Sequence, residues 1–208
     1  MKKLGLLVLA LSLLFVGSAF ASIAADGTYK MTVDDAFELY ISQDDHVQGT
    51  LIASGDHWPD AQIGTFYLAQ GTNYIHVVGR DEHQVIAGFL GQFTLRSDNP
   101  YIFENGTKKL LTNKNDWTVR TDGWDDSFAR VTSSGKNAGA EPWISVNGGP
   151  VDGISKNAKW IWTDKGDYTE SPRYFSAKIT MTPEPVSMVL FGLGAGVLGL
   201  AHFRRKKK

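Results

Sequence analysis

Ala36-Phe37-Glu38-Leu39-Tyr40-Ile41 is the stretch of sequence that indicates the fold most clearly. Every second side chain in it is large and apolar, which is the period of a β-strand with one buried face. Similar short runs recur along the chain, separated by Gly, Asn and Asp, and no long stripe of helical period interrupts them. We expect an all-β fold, an antiparallel β-sandwich of the jelly-roll kind, with Gly71-Thr72-Asn73 as a hairpin connection. The predicted strands are residues 29–33, 36–41, 65–68, 74–78, 85–95, 117–120, 128–132, 143–146, 159–162 and 174–181.

The charge of the chain is unevenly distributed. The 208 residues have a formal net charge of −1, but residues 22–182 hold 14 Lys and Arg against 21 Asp and Glu, a net charge of −7. An acidic domain without a basic stripe argues against nucleic acid as a partner, because phosphate neutralisation dominates that kind of binding. The chain has no cysteine, which excludes disulfides, thiolate zinc sites and cysteine nucleophiles.

The N-terminal end has the three parts of a secretory signal peptide. Met1-Lys2-Lys3 is positively charged, residues 4–20 are largely apolar, and Ala19-Phe20-Ala21 supplies the small-x-small motif before the cleavage site. We predict that signal peptidase cleaves between Ala21 and Ser22. An uncleaved membrane anchor is the alternative.

The C-terminal end has the composition of a membrane stop. Pro183-Glu184-Pro185 precedes eighteen largely apolar residues, 186–203, which are just long enough to cross a bilayer as a helix. A basic tail then ends the chain and is expected to stay in the cytoplasm, which places the preceding domain outside. The basic tail consists of Arg204, Arg205, Lys206, Lys207 and Lys208.

This arrangement resembles the PEP-CTERM sorting signal over residues 183–208, with all three parts in order. The resemblance implies processing by an exosortase, a membrane transpeptidase of bacteria that make exopolysaccharide. The expected course is an inner-membrane intermediate held by the C-terminal helix, followed by transfer to the cell surface or extracellular matrix. The chain then comprises a signal peptide (residues 1–21), a β-sandwich domain (22–182) and a sorting signal (183–208). A plain C-terminal anchor is the alternative.

A second resemblance concerns the middle of the chain. Asp34-Asp35-Ala36-Phe37-Glu38-Leu39-Tyr40-Ile41, then Gly71-Thr72-Asn73, then Ala87-Gly88-Phe89-Leu90 are similar to strands and a hairpin of galactose-binding-like jelly-roll modules. The resemblance implies that fold, in a group that often binds sugars. Ser42-Gln43-Asp44-Asp45-His46 departs from the Asn-Gly turn of the group, so no ligand contact is carried over to this loop.

Two tryptophans are candidates for a sugar site. Sugars stack on exposed aromatic faces and need polar partners for their hydroxyls. Trp117 and Trp124 each lie among Asn, Asp and Gly, the composition of a loop, with Asp122 and Asp125 beside Trp124. We expect these four residues to bind carbohydrate. The alternative is that the tryptophans anchor loops to the core.

Clustered aspartates raise the question of a structural calcium ion. Asp34, Asp35, Asp44 and Asp45 are candidate ligands, since calcium takes six to eight oxygen atoms. Solvated turn-forming aspartates are the alternative, and no other cofactor is expected. The sequence contains no nucleophile elbow, phosphate loop or zinc-protease motif, so we do not expect an enzyme.

These observations favour an exported surface or matrix protein that binds exopolysaccharide without altering it. A structural coat or adhesion protein with a protein partner is the main alternative, and a glycan-active hydrolase is a further one.

Overall fold

The computed structural model describes residues 25–164 and 169–182. The predicted cleavage site (Ala19, Ala21 and Ser22) and the predicted sorting signal (residues 183–208) lie outside these residues. Among the described residues, no helix has the length and apolar character that a membrane crossing requires.

Two antiparallel sheets of six strands each make up the domain, together with one short helix among the described residues. In chain order the elements are β1 (Ala25–Asp34), β2 (Ala36–Ser42), β3 (Thr50–Gly55), β4 (Gln62–Leu68), β5 (Asn73–Arg80), β6 (Gly88–Leu95), β7 (Tyr101–Phe103), β8 (Lys109–Leu111), β9 (Thr118–Arg120), β10 (Thr132–Lys136), α1 (Trp143–Asn147), β11 (Lys159–Trp162) and β12 (Arg173–Met181). The first sheet has the order β10-β11-β6-β1-β4, with β8 beside β6, and the second has the order β3-β2-β5-β12-β7, with β9 beside β12. The prediction of an all-β sandwich of antiparallel sheets is confirmed.

The inner faces of the two sheets share one apolar core. Strand β1 contributes Tyr29, Met31 and Val33, while β2 contributes Phe37 and Leu39, all almost completely buried. Alternate residues therefore face inward, as the period of two predicts. Burial of this apolar surface is the main driving force for the sandwich.

Close packing requires a glycine where β1 meets β4. Gly27 lies opposite Phe66 in the register of these strands. A Cβ atom on Gly27 would lie 2.3 Å from Phe66 Cζ, a distance that real Cβ atoms do not tolerate. The aromatic ring therefore occupies the space that a larger residue would need.

Residues between β10 and β11 cover one end of the first sheet's outer face. Trp143 of α1 stacks on Trp160 of β11, with ring centroids 4.3 Å apart and planes inclined by 8°. Leu90 of β6 and Val151 join the same apolar cluster. The other end of this outer face is open to solvent, where Ile63 and Tyr67 are exposed.

Two local predictions are wrong. Residues 143–146 were expected to form a strand but lie in α1, which ends at Gly148 with a φ of 69°. Its β-branched residues favour a strand locally, but burial of Trp143 against Trp160 decides the conformation. The strand expected over residues 128–132 begins only at Thr132.

The connection Gly71-Thr72-Asn73 is also not a hairpin. Strand β4 belongs to the first sheet and β5 to the second, so the chain crosses between sheets here. Asn73 stabilises the crossing: its Oδ1 accepts from the Ala69 N–H at 3.0 Å, and its Nδ2 donates to the Ala69 carbonyl at 2.8 Å. A Gly-x-Asn turn is compatible with a hairpin and with a crossing between sheets. The pairing of β4 and β5 with different strands shows that it is a crossing here.

Candidate functional site

Trp117 is buried, contrary to the prediction of an exposed loop indole. Only 3% of its surface is accessible, and its ring meets the Phe89 ring edge-on with 4.9 Å between centroids. Its Nε1–H donates to the Leu111 carbonyl at 3.2 Å. Trp117 therefore belongs to the core and has no free face on which a sugar could stack.

Trp124 is buried as well, on the outer face of the second sheet. Its ring stacks on the His76 imidazole with 3.9 Å between centroids, and it meets Tyr174 edge-on. Asp122 and Asp125 are exposed beside it. The expected sugar site at Trp117 and Trp124 is therefore wrong in its main requirement, because both loops fold their indoles inward to remove apolar surface from water.

A buried polar network lies beneath Trp124. Asp45 accepts hydrogen bonds from Arg120 Nη2 at 2.7 Å and from the Ser176 hydroxyl, and its Oδ1 lies 3.3 Å from His76 Nε2. Burial raises the pKa of the Asp45 carboxyl, but the hydrogen bonds from Arg120 and Ser176 outweigh it, so the net shift is downward. Burial is the largest influence on the pKa of His76 and lowers it. The network ties the loop before β3 to β9 and β12.

A second polar cluster lies at the opposite end of β2. The Asp34 carboxyl is buried, and desolvation raises its pKa to about 7, with a hydrogen bond to Asp35 acting in the same direction. Burial also raises the pKa of Asp35, but hydrogen bonds from Asp34 and His83 overcome it and lower the pKa overall. His83 Nδ1 lies 2.7 Å from Asp35 Oδ2. One proton shared by two carboxyl groups explains the opposite shifts.

The four candidate calcium ligands do not converge. Asp34 and Asp35 precede β2 whereas Asp44 and Asp45 follow it, so the two pairs lie about 20 Å or more apart along an extended strand. Asp44 accepts the His46 N–H in its own turn, and the other three take part in the networks just described. In the described part of the chain, no three His, Cys, Asp or Glu residues are grouped so as to hold a metal ion.

The open end of the first sheet's outer face carries an exposed aromatic ring. Tyr67 on β4 is 67% exposed, and Ile63 on the same face of this strand is 62% exposed. Their neighbours Phe66 and Leu68 point into the core. An exposed ring beside polar groups is what a sugar-binding surface requires.

Hydroxyl groups lie in a row beside this ring. Thr28 on β1 is the direct partner of Thr65 on β4 and of Thr94 on β6, and Thr94 in turn pairs with Lys109 on β8. Neighbouring strands are about 4.8 Å apart, so the three hydroxyl groups form an evenly spaced line across the sheet. We call Thr28, Thr65, Tyr67, Thr94 and Lys109 the open face.

A loop forms a wall at one side of the open face. Residues 150–156 border a depression of about 520 Å³, whose floor includes Gln92 and Lys109. The Ser155 N–H donates to Gln92 Oε1 at 3.2 Å, which fixes the loop to the sheet. The open face is therefore a flat polar surface that ends in a shallow groove.

Sequence reasoning missed Tyr67 although the signal was present. Residues 65–68 were predicted as a strand, and the alternation of inward Phe66 and Leu68 places Tyr67 on the opposite side. Loop-like surroundings point to Trp117 and Trp124 instead. The pairing of Thr28 with Thr65 and Thr94, by contrast, depends on strand order and register, which no local pattern contains.

Comparison with protein-family models, with curated proteins and with solved structures gave no significant match.

Proposed function

We propose that this protein is exported to the cell surface or extracellular matrix and binds polysaccharide there without altering it. Its open face is the proposed binding site. The observation that carries the proposal is the exposed ring of Tyr67, 67% accessible, beside the in-register row of Thr28, Thr65 and Thr94. The apolar face of a sugar ring would stack on the tyrosine, and the threonine hydroxyls would donate to and accept from the sugar hydroxyls.

The ends of the chain support the proposed location. Residues 1–21 have the pattern of a signal peptide, and residues 183–208 have the order of parts of an exosortase-processed sorting signal. In this proposal signal peptidase and an exosortase act in turn, and the intermediate is held in the inner membrane by residues 186–203. The mass of the mature protein from its host tests this point: a C-terminal peptide that still contains residues 186–208 would leave only a membrane anchor.

A galactose-binding-like jelly roll is the finer description of the fold that we propose for residues 22–182. The two six-stranded antiparallel sheets are compatible with it. In such a scaffold a rigid sheet presents its side chains at fixed spacing, which suits recognition of a repeating polymer.

A non-catalytic role is part of this proposal, and two of the buried carboxyl groups are compatible with it. Asp45 is bonded to Arg120 and Ser176, and Asp34 accepts from the Trp143 indole at 2.8 Å. Both carboxylates thus have structural partners.

Retention of the full chain by polysaccharide in a native gel tests the proposal. The gel contains the exopolysaccharide of the host or, in parallel, neutral hydroxyethyl cellulose or dextran, with mild detergent throughout. We expect Tyr67→Ala to lose affinity about tenfold, equivalent to ~1.4 kcal/mol, and Tyr67→Phe to keep it because stacking survives. Phe128→Ala is the matched control, since Phe128 is 61% exposed and lies outside the open face.

Two results would contradict the proposal: equal retention of Tyr67→Ala and the parent protein, or no retention by any of these polymers. In the second case a surface coat or adhesion role, with a protein partner on the same face, becomes the better explanation.

A further inference from the structure

A concavity of about 640 Å³ lies at the free edge of the first sheet, away from the open face. It follows β10, which among the described strands pairs with β11 alone and therefore forms an edge of the sheet. Four cationic side chains and one carboxylate, Asp164, line it. We call this concavity the basic groove, and its cationic residues are Lys114, Arg130, Lys136 and Lys159.

The cations of the basic groove have no acidic partner among the described residues. Arg80, Arg96 and Arg120 elsewhere in the domain each pair with a carboxylate. Among residues 25–164 and 169–182, the cations of the groove form no ion pair; Lys136 Nζ donates only to the Asn157 side chain, at 3.3 Å. A concentration of unpaired positive charge is unfavourable by itself and attracts a negatively charged ligand.

The positive charge of the basic groove contrasts with the negative charge of the domain around it. Residues 22–182 have a net charge of −7, so the domain as a whole repels anions, whereas the groove has a formal charge of +3 from its four cations and Asp164. Ser133 and Ser134 add hydroxyl groups to the lining. The edge of β10 that faces away from β11 adds backbone donors and acceptors, and a bulge between Ser133 and Gly135 interrupts the pairing with β11.

We infer that the basic groove binds the anionic groups of an acidic polysaccharide. Carboxylates of uronic acid units and sulfate esters share the required chemistry, a charged oxyanion on a polymer rich in hydroxyls. Lysine and arginine would bind the oxyanions, while the serines would bind neighbouring hydroxyl groups. Duplex DNA fits less well, because its dense charge would also meet the acidic remainder of the domain. This inference rests on the proposed extracellular location, but it uses none of the residues of the open face.

Native-gel retention of the full chain on four polymers tests the inference. Alginate carries carboxylates, dextran sulfate carries sulfate esters, dextran is neutral, and duplex DNA is the competing polyanion. We expect retention by alginate or dextran sulfate to fall about tenfold in Lys114→Gln/Arg130→Gln/Lys136→Gln, since all three side chains are exposed and each contact contributes modestly. Lys178→Gln, on β12 of the other sheet, is the control for loss of one positive charge outside the groove. Salt should weaken the retention in the same way.

The two anionic polymers identify the preferred group: stronger retention by alginate indicates carboxylates, and stronger retention by dextran sulfate indicates sulfate esters. The inference is overturned if the triple variant is retained like the parent, if dextran retains Tyr67→Ala as strongly as the charged polymers do, or if DNA retains the parent as strongly as they do. If Tyr67→Ala no longer binds dextran but still binds alginate normally, the open face and the basic groove are independent binding sites. If alginate retains the protein but neither the neutral polymers nor the host exopolysaccharide does, the proposal for the open face is contradicted and the inference for the basic groove stands.

Discussion

The indole N–H of Trp143 donates a 2.8 Å hydrogen bond to Asp34 Oδ2 across 109 residues of sequence. It connects helix α1 to the last residue of β1, and it holds the stacked pair of Trp143 and Trp160 over the outer face of the sheet. The accepting carboxyl group is buried, which raises its pKa to about 7. The contact that holds Trp143 over the outer face of the first sheet therefore depends on Asp34, a group that titrates near neutral pH.

The first prediction concerns pH and stability. The pKa of Asp34 is about 7 in the folded protein and near 3.8 when unfolded, so the folded state binds the extra proton between these values. Stability should therefore be higher near pH 5 than near pH 8 and fall as the pH rises toward 7, by on the order of 3 kcal/mol from this group. The lowered pKa of Asp35 has the opposite effect on stability. Its contribution is present above about pH 4 and is lost as the pH falls below that value.

Urea unfolding of the parent protein and Asp34→Asn at pH 5 and pH 8 measures this effect. Asparagine stays neutral, can accept from Trp143 and can donate to Asp35, so the variant should lose most of the pH dependence and exceed the parent at pH 8. An unchanged pH dependence in Asp34→Asn would show that other groups cause it.

The second prediction concerns the network beneath Trp124. Asp45→Ala leaves the guanidinium of Arg120 buried without its carboxylate, and Arg120 is only 1% exposed. We expect a loss of about 3–5 kcal/mol in the free energy of unfolding. Asp44→Ala, which removes an exposed neighbouring carboxylate, should cost about 1 kcal/mol or less. Similar losses in the two variants would refute the structural role of Asp45.

The third prediction separates the core tryptophan from the surface tyrosine. Trp117→Ala should destabilise the domain by about 3–5 kcal/mol, since it empties a large buried volume. Tyr67→Ala should change stability by about 0.5 kcal/mol or less, because the ring is exposed. Chemical unfolding monitored by circular dichroism measures both changes. A stable Trp117→Ala protein would mean that the indole lies outside the core.

The fourth prediction concerns the contact between Gly27 and Phe66. Gly27→Ala forces the new methyl group into the Phe66 ring and should cost about 1–3 kcal/mol. Gly139→Ala is the control, since no atom lies within 4 Å of the added Cβ. Equal midpoints of thermal unfolding for the two variants would contradict the packing of β1 on β4.

The sequence predicts strands well where burial has a regular period, and less well where long-range contacts decide. Alternation in β1 and β2 identifies their inward residues, because each of these strands has one face in the common core. Residues 143–146 show the limit: a β-branched run becomes helix α1 because Trp143 packs on Trp160. Strands β7 and β8, three residues each, are too short to produce a period.

The candidate sites also depend on long-range contacts that the local sequence does not predict. The composition around Trp117 and Trp124 is typical of a loop, and both residues lie outside the strands. It does not indicate whether their indoles are exposed or buried in the core. The open face and the basic groove combine residues that are distant in sequence, such as Thr28 with Thr94 and Lys114 with Lys159. Their proximity follows from sheet order, which local sequence does not encode.

Hydroxyl-radical footprinting of the full chain, with and without the host exopolysaccharide, tests the proposed binding surface most directly. Oxidation of individual side chains is measured by mass spectrometry, with the exposed Phe128 ring as internal reference. If polysaccharide covers the open face, oxidation of Tyr67 falls several-fold while that of Phe128 stays the same. Undiminished oxidation of Tyr67 at saturating polysaccharide would contradict the proposal.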